Sequence, residues 1–430
     1  MQHQRHIAPM TCIPDDLAAR AAQAGSDPGI GFGAFVGLMA GLMAVNALGV
    51  DSMLAALPQI GHALAVADEN RRQLIIVVYV FGFGVAQLVW GPLADAHGRR
   101  PILIACTALY ALLSIVAGFA ASFELLLAAR LLQGIAAAAS RVLVISIVRD
   151  CYSGRTMARV MSLSFIVFLI VPILAPSIGQ AILLATGSWR WIFFALGLFG
   201  AALSLVGALW LKETLHPEHR RRVSFQGVSG SMIRVLRDPL ALGYTLAGAA
   251  TLGALLGYVN SVQQIFADIF ARPALFPLMF AATAAAMGVA GYLNSRIVEA
   301  VGSRRVSHAA LCAQILFSTV HLAIAASGRE TMLTFAIMQS LTMLCFGMMG
   351  SNFGAMAMEP VGDIAGTASS IQGFLSTCIA ALIGYVIGQS FDGSTLPMCL
   401  GFVAMGCASL CFVLLAERGR LFRPHALAIA

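Results

Sequence analysis

The chain has 430 residues, 59% of them hydrophobic and only 10% charged, against about 25% charged in ordinary soluble domains. Mean hydropathy is +0.87, so the chain cannot cover itself with a water-compatible surface, and a soluble enzyme or binding module is excluded. The formal net charge of +7 is read as membrane topology and not as a nucleic-acid footprint, for the reason given by the loops below.

The first 30 residues carry Asp15, Asp16 and Asp27 and lack a compact apolar core. They read as a cytoplasmic tail and not as a cleavable signal peptide. Apolar stretches of ~20–25 residues then follow, long enough to cross a hydrocarbon core of about 30 Å as helices. The predicted spans are 32–57, 73–93, 101–121, 125–148, 158–184, 189–211, 240–266, 274–298, 306–326, 332–357, 364–390 and 395–416. The fold class is therefore all-α and polytopic, with about twelve transmembrane helices. Residues 31–211 form an N-terminal six-helix half, 212–238 a basic cytoplasmic linker, 239–416 a C-terminal six-helix half and 417–430 a cytoplasmic tail. The linker holds the run His219-Arg220-Arg221-Arg222, a solvated face near anionic lipid.

Basic residues set the orientation. Arg99, Arg100, Arg149, Arg155, Arg159, Arg304 and Arg305 fall in loops on one side, together with the linker and the C-terminal tail. The other side has only Arg71, Arg72, Arg190, Arg272 and Arg329. Both termini are thus expected in the cytoplasm. The nine cysteines are scattered without a CxxC pair, and Cys407 and Cys411 share a helix face without forming a metal site. No cofactor, metal or nucleotide-binding pattern is present, and none is expected.

The halves echo each other. Gly98-Arg99-Arg100 follows span two and Gly302-Ser303-Arg304-Arg305 follows span eight, an offset of 302 − 98 = 204. Parallel repeats of this kind characterise transporters whose substrate binds between the halves near the bilayer midplane.

Asp51 is the only acidic residue inside a predicted span. A carboxylate there costs several kcal/mol or more, depending on the scale, so its default reading is functional. It lies seven residues before Pro58, the expected outer end of span one, hence ~10 Å deep. Arg130 lies six residues after Glu124, ~9 Å deep in span four. Buried charges usually pair, so the two are expected to be partners or to share a water-filled cavity. The competing reading is a static ion pair that only fixes helix packing. In the functional reading, desolvation raises a carboxyl pKa and a nearby arginine lowers it, so rocking of the halves would change proton affinity. Arg141, eleven residues past Arg130, projects from nearly the same face. It attracts anionic or zwitterionic substrates, pairs with a carbonyl, or snorkels to the inner surface.

Other polar residues in spans divide the same way, between lining a cavity and bonding to other helices. The cavity candidates beside Arg141 are Tyr258, Asn260, Gln263 and Gln264 in span seven, with Gln87, Gln339 and Gln372 as lesser ones. His321 reads as a satisfied interhelical residue.

The loop after span two is Gly91-Pro92-Leu93-Ala94-Asp95-Ala96-His97-Gly98-Arg99-Arg100-Pro101. Gly91 allows close helix approach, Asp95 meets a positive helix end, Gly98 permits a tight turn and the arginines anchor at headgroups. This loop resembles the signature of the major facilitator superfamily, G-x-L-a-D-x-x-G-R-R. Span four, with Arg130-Leu131-Leu132-Gln133-Gly134 and the end Arg149-Asp150, is similar to that family's buried-arginine helix. The resemblance implies that Asp150 joins the loop arginines in a cytoplasmic gate comprising Gly91, Asp95, Gly98, Arg99, Arg100, Arg149 and Asp150. Pro172, Pro176 and Gly179 in span five resemble the family's antiporter motif, with Gln180 where a second glycine is usual. Leu48-Gly49-Val50-Asp51 through Pro58, Lys212-Glu213-Thr214-Leu215 and Ile364 to Ser370 are similar to the Bcr/CflA drug-resistance branch.

The resemblance implies a proton-coupled exporter of small amphipathic compounds in a bacterial inner membrane. Its partners would be a small-molecule substrate, protons and the lipid bilayer, with no nucleic acid and a monomeric state. The alternatives are a proton-linked transporter of one metabolite, such as a sugar or amino-acid derivative, and a membrane sensor that moves nothing.

Overall fold

A computed structural model describes residues 26–216, 218, 220 and 225–422. The expected tail over 1–25, most of the His219–Arg222 run and residues 423–430 lie outside the described residues. Twelve helices of 20 residues or more are present among the described residues. They are α1 (Phe32–Asp51), α2 (Leu74–His97), α3 (Arg99–Gly118), α4 (Phe123–Cys151), α5 (Gly154–Thr186), α6 (Arg190–Trp210), α7 (Pro239–Gln264), α8 (Phe276–Val301), α9 (Ser303–Ala326), α10 (Met332–Met358), α11 (Ala365–Gln389) and α12 (Leu396–Ala416). Hydropathy alone yields ten membrane-length segments, one of which, Met332–Gln389, contains both α10 and α11 joined by a 3-10 link over Glu359–Ile364.

Helix ends follow local chemistry. Ser122 accepts from the Leu125 amide at the start of α4 at 3.2 Å, and Asp238 accepts from Leu240 and Ala241 at 2.9 and 2.8 Å to start α7. Thr331 and Thr334 cap α10 reciprocally. The turns between α2 and α3 and between α8 and α9 rest on Gly98 (φ 103°) and Gly302 (φ 94°), a region that favours glycine. α2 ends at His97 and α8 at Val301, while α3 starts at Arg99 and α9 at Ser303. Both boundaries keep the offset of 204 read from the sequence (301 − 97 and 303 − 99).

Packing repeats as well. α1 lies along α5, α2 along α4 and α3 along α6; in the second half α7 lies along α11, α8 along α10 and α9 along α12. Across the halves, α2 meets α11 and α5 meets α8, again an equivalent pair. The backbones approach closely at α2 and α4, where Gly82 abuts the Leu131 carbonyl and Gly134 abuts the Tyr79 carbonyl. Small residues at such crossings suit helices that gain little from hydrophobic burial in lipid. Large apolar side chains such as Leu184 (76% exposed), Leu198 (74%) and Leu333 (67%) point outward.

Two expectations are corrected. Pro58 does not end span one: α1 stops at Asp51, a 3-10 turn spans Leu54–Ala56 and a short helix Leu57–Ala63 follows, with Pro58 in its first turn. Proline is accommodated there because its missing N–H is not needed in a first turn. The linker is not all loop, since it holds the helix Phe225–Arg237. That helix packs on α7 and α11 and pairs Arg234 with Asp363 at 2.5 Å. The Arg234 guanidinium holds the Asp363 carboxyl below its ordinary range. The pair therefore persists at neutral pH and is lost as pH falls through that depressed value.

Candidate functional site

Both described ends of the chain lie on one face of the bundle, the terminal face. Ser26 donates its amide to the Asp150 carbonyl at 2.9 Å, and Phe422 donates its amide to His308 Nδ1 at 3.1 Å. The opposite, far face carries the α1–α2 and α11–α12 connections.

Asp51 is the last residue of α1 and only 7% exposed. It makes no hydrogen bond or ion pair among the described residues. The carbonyls at a helix C-terminus carry the negative end of the macrodipole, so this position does not welcome a permanent negative charge. α5 closes over the same place, with Gly179 directly against the Ser52 carbonyl, leaving no room for a Cβ. Pro176 and Pro172 stand one and two turns earlier in the same helix. Gly179 therefore serves the close approach of α5 to the end of α1.

Arg130 is fully buried, but its partner is not Asp51. Nη2 donates to the Gly49 carbonyl at 2.8 Å, Nε to the Ile75 carbonyl at 3.1 Å and Nη1 to Gln133 Oε1 at 2.6 Å. The guanidinium carbon stands 4.1 Å from the Tyr79 ring centroid, a cation–π contact. Gln133 in turn donates to Ser114 at 2.6 Å. The expected direct pair with Asp51 is thus corrected. The similar depth is real, because Arg130 bonds to a carbonyl two residues before Asp51, but two residues turn a helix by about 200°. Asp51 accordingly leaves on the opposite side of α1 from Gly49. The hydroxyls of Tyr79 and Tyr110 converge on Gly49, where a Cβ would lie 2.7 and 3.2 Å from them. Both hydroxyls are buried without a hydrogen-bond partner among the described residues. Neither tyrosine stood out in the sequence, since an aromatic in an apolar run carries no sign of where its hydroxyl ends.

On the terminal face the signature loop forms a compact network. Arg99 Nη1 meets Asp95 at 2.6 Å and its Nε meets Asp150 at 3.2 Å. Glu213 accepts from the Arg99 and Arg100 amides at 2.9 and 3.3 Å, capping α3. Arg100 reaches the Ala208 carbonyl at 2.7 Å. Gly98, in its left-handed turn, leaves room for the Glu213 carboxylate. Gly91 lies on the seam between the halves, its open side 3.7 Å from Ser370 Oγ and 3.9 Å from Val142 Cγ1. The structure thus brings together Asp95, Arg99 and Asp150 but not Arg149, which is exposed.

A second network missed by the sequence reading mirrors the first. Arg304 is bidentate to Glu359 at 3.1 and 2.7 Å and meets Glu417 at 2.6 Å. Glu417 also accepts from Tyr244 at 2.8 Å, and Tyr244 contacts His308 at 3.0 Å. The signal was available: Glu417 is Glu213 shifted by 204 (417 − 213).

Four of the proposed cavity residues bond to other parts of the bundle. Gln87 donates to Gly373 and Thr377 of α11 at 3.3 and 3.2 Å. Tyr258 bonds to Thr283 at 2.8 Å and stacks on Phe280. Asn260 donates to the Gly384 carbonyl at 3.0 Å. Gln264 donates to Asn70 at 3.0 Å and accepts from Gln73 at 2.7 Å. Asn70 further donates to the Phe391 carbonyl at 2.9 Å, and Gln389 donates to the Asn70 carbonyl at 2.7 Å. Asn70, Gln73, Gln264 and Gln389 therefore stitch the halves together on the far face. His321 is satisfied as expected, bonded to Glu330 at 2.6 Å. Arg141 departs from this pattern: it is exposed in the second half of α4 and makes no hydrogen bond or ion pair among the described residues, while Asn260 Oδ1, Gln339 Nε2 and Gln372 Nε2 are buried without a hydrogen-bond partner among them.

Residues 39–385 match the Major Facilitator Superfamily. The chain is 30% identical over 376 residues to the MFS-type transporter YdgK of Bacillus subtilis, covering 86% of this chain and 93% of that protein. It is 28% identical over 360 residues to a bicyclomycin resistance protein homologue of Haemophilus influenzae, covering 81% and 87%. It is 27% identical over 382 residues to the multidrug resistance protein MdtL of Shigella flexneri, covering 88% and 94%. Among solved structures it resembles the peptide transporter POT in complex with sulfate, with a TM-score of 0.70 at 13% identity over 93% of this chain and 97% of that one, a likeness of fold alone. With two six-helix halves, a signature loop folded into an ion network and a family match across most of its length, this chain belongs to the Major Facilitator Superfamily and is a membrane transporter rather than an enzyme.

Proposed function

We propose that this transporter exports small amphipathic compounds in exchange for protons, with Asp51 as the proton-carrying group. One observation carries the reading: Asp51 is a buried carboxylate with no described partner, set at a helix C-terminus against the Pro/Gly segment of α5. A structural ion pair would have a cation within reach, and the buried cation in its neighbourhood, Arg130, is already committed to two carbonyls and Gln133. An ionised carboxylate so placed is costly, whereas a protonated one is not. Asp51 would take a proton when the far side opens and release it when the terminal side opens, with substrate binding favouring the release.

The concentration of arginine on the terminal face supports placing it in the cytoplasm, in a bacterial inner membrane. In this conformation the far-face seam is bonded shut, and α4 is exposed at Arg141 and Ile145 on its inner face. The conformation is therefore assigned as open to the cytoplasm, ready to admit cargo. The gate of Gly91, Asp95, Gly98, Arg99, Arg100 and Asp150 would hold α2, α3 and α4 as one body while α2 slides on α11 at Gly91 and Ser370. A single chain holds both halves, so a monomer suffices. Resistance proteins among the relatives support efflux as the direction of transport.

Asp51→Asn should insert and fold yet lose export driven by a pH gradient in proteoliposomes. Export at the wild-type rate in that variant would reject the role.

A further inference from the structure

We propose that Arg141 is the carboxylate-binding residue of the transport path, so that the cargo includes compounds carrying a free carboxylate, zwitterions among them. The inference rests on the exporter reading above and names its substrate class.

Arg141 stands sixteen residues beyond Leu125, which turns a helix by about 160°. Leu125 and Leu132, 45% and 48% exposed, mark the outer face of α4. Arg141 therefore leaves the helix on the inner face, about 20° from Arg130, whose contacts with Gly49 and Ile75 identify that face as the interior. Further toward the core, the inner face is buried at Arg130, Gln133 and Gly134. One turn beyond Arg141, Ile145 is 47% exposed on the same inner face. The adjacent residue, Val142, packs against Gly91 at the seam where Ser370 of the second half arrives. Arg141 thus projects into an open space beside the junction of the two halves.

The alternative roles for such a cation do not match these contacts. No carbonyl or carboxylate among the described residues receives it. Snorkelling to the terminal face would require crossing the ten residues to Cys151, the end of α4, a rise of ~15 Å that exceeds the reach of an arginine side chain. Arg130, on the same face, has all three of its nitrogens hydrogen-bonded and stacks on Tyr79. The contrast separates a built-in structural arginine from one left free. A free guanidinium inside a transporter offers a planar fork of donors that fits a carboxylate bidentately. Arg141 lies ~16 Å along α4 from the level of Arg130, and so from Asp51. Arg141 and Asp51 therefore stand at different levels of the path. Arg141 captures the carboxylate on entry, and the proton exchange takes place deeper.

The test uses the full-length protein in proteoliposomes with an imposed pH gradient. The two probes are a fluoroquinolone with a free carboxylate and its methyl ester, and the readout is the ratio of their transport rates at sub-saturating concentration. Arg141→Ala and Arg141→Gln should lower the ratio of acid to ester at least tenfold through KM, and Arg141→Lys, which keeps the charge but not the fork, should restore only part of it. An unchanged ratio in both neutral variants would overturn the proposal. If the wild type moves the ester but not the acid, the carboxylate role fails and the exporter reading stands. If it moves neither, both fail.

Discussion

A buried arginine can be a switch or a fixture, and the contacts of Arg130 make it a fixture. Its three nitrogens serve three separate directions, two carbonyls and Gln133, while its face covers Tyr79. A lysine supplies one point of charge and cannot reproduce that fork. Arg130→Lys should therefore leave at least one buried carbonyl unpaired, costing about 1–3 kcal/mol. Thermal unfolding in detergent should show a lower midpoint, and an unchanged midpoint would contradict the assignment. Asp51 stood out in the sequence because one acid in an apolar run is conspicuous. Its relation to Arg130 was legible only in depth. The azimuth was not, because α1 stops at Asp51 while the sequence continues apolar to Pro58 and beyond. The orphan hydroxyls of Tyr79 and Tyr110 were not legible at all, since nothing local tells a buried phenol from a lipid-facing one.

At the level of helices, the apolar runs predicted nearly every element, and the offset of 204 predicted the repeat. What escaped was chemistry at helix ends. The second signature loop looks eroded because its buried arginine sits two residues after the glycine, at Arg304, instead of one, at Arg99. In three dimensions the shift is absorbed. Glu417 takes the Arg304 side chain, where Glu213 takes the Arg99 backbone. Glu417→Gln should weaken the Arg304 network and the Tyr244 contact together, speeding amide hydrogen exchange at the start of α9 more than at the start of α3. Equal exchange at both would show that the network carries no load. Gly98→Ala should be costly on two counts, since its φ of 103° is strained for alanine and its Cβ would displace the Glu213 carboxylate. Positions of this kind cost of order 1–3 kcal/mol. For Gly179→Leu, the side chain has only the Ser52 carbonyl to push against. That variant should separate α5 from α1 and abolish transport while expression persists; normal transport would mean that the contact is dispensable.

Over the whole molecule, the halves meet through α2 with α11 and α5 with α8, and the far face is held by amide side chains rather than ion pairs. Hydrogen bonds between neutral groups contribute about 0.5–1.5 kcal/mol each, a scale at which a few bonds hold a closed state that remains able to open. Asn70→Ala with Gln264→Ala removes the centre of that seam. Spin labels placed on opposite halves at the far face should then report a larger fraction of separated distances, and an unchanged distribution would show that the seam does not hold the closed state. The polar residues picked from the sequence as cavity lining were judged by polarity alone. Gln87, Tyr258, Asn260 and Gln264 bond to other parts of the bundle, although Asn260 Oδ1 has no partner among the described residues, and a sequence does not distinguish a side chain that is satisfied from one that is waiting. Arg141 is the charged candidate that makes no hydrogen bond or ion pair among the described residues. The central claim is that Asp51 gives up a proton when cargo binds. It is tested most directly by adding a transported compound to the purified protein in weakly buffered detergent solution and following pH with an indicator dye. The wild type should release close to one proton per bound molecule and Asp51→Asn none, whereas equal release from both, or none from the wild type under saturating cargo, would contradict the account.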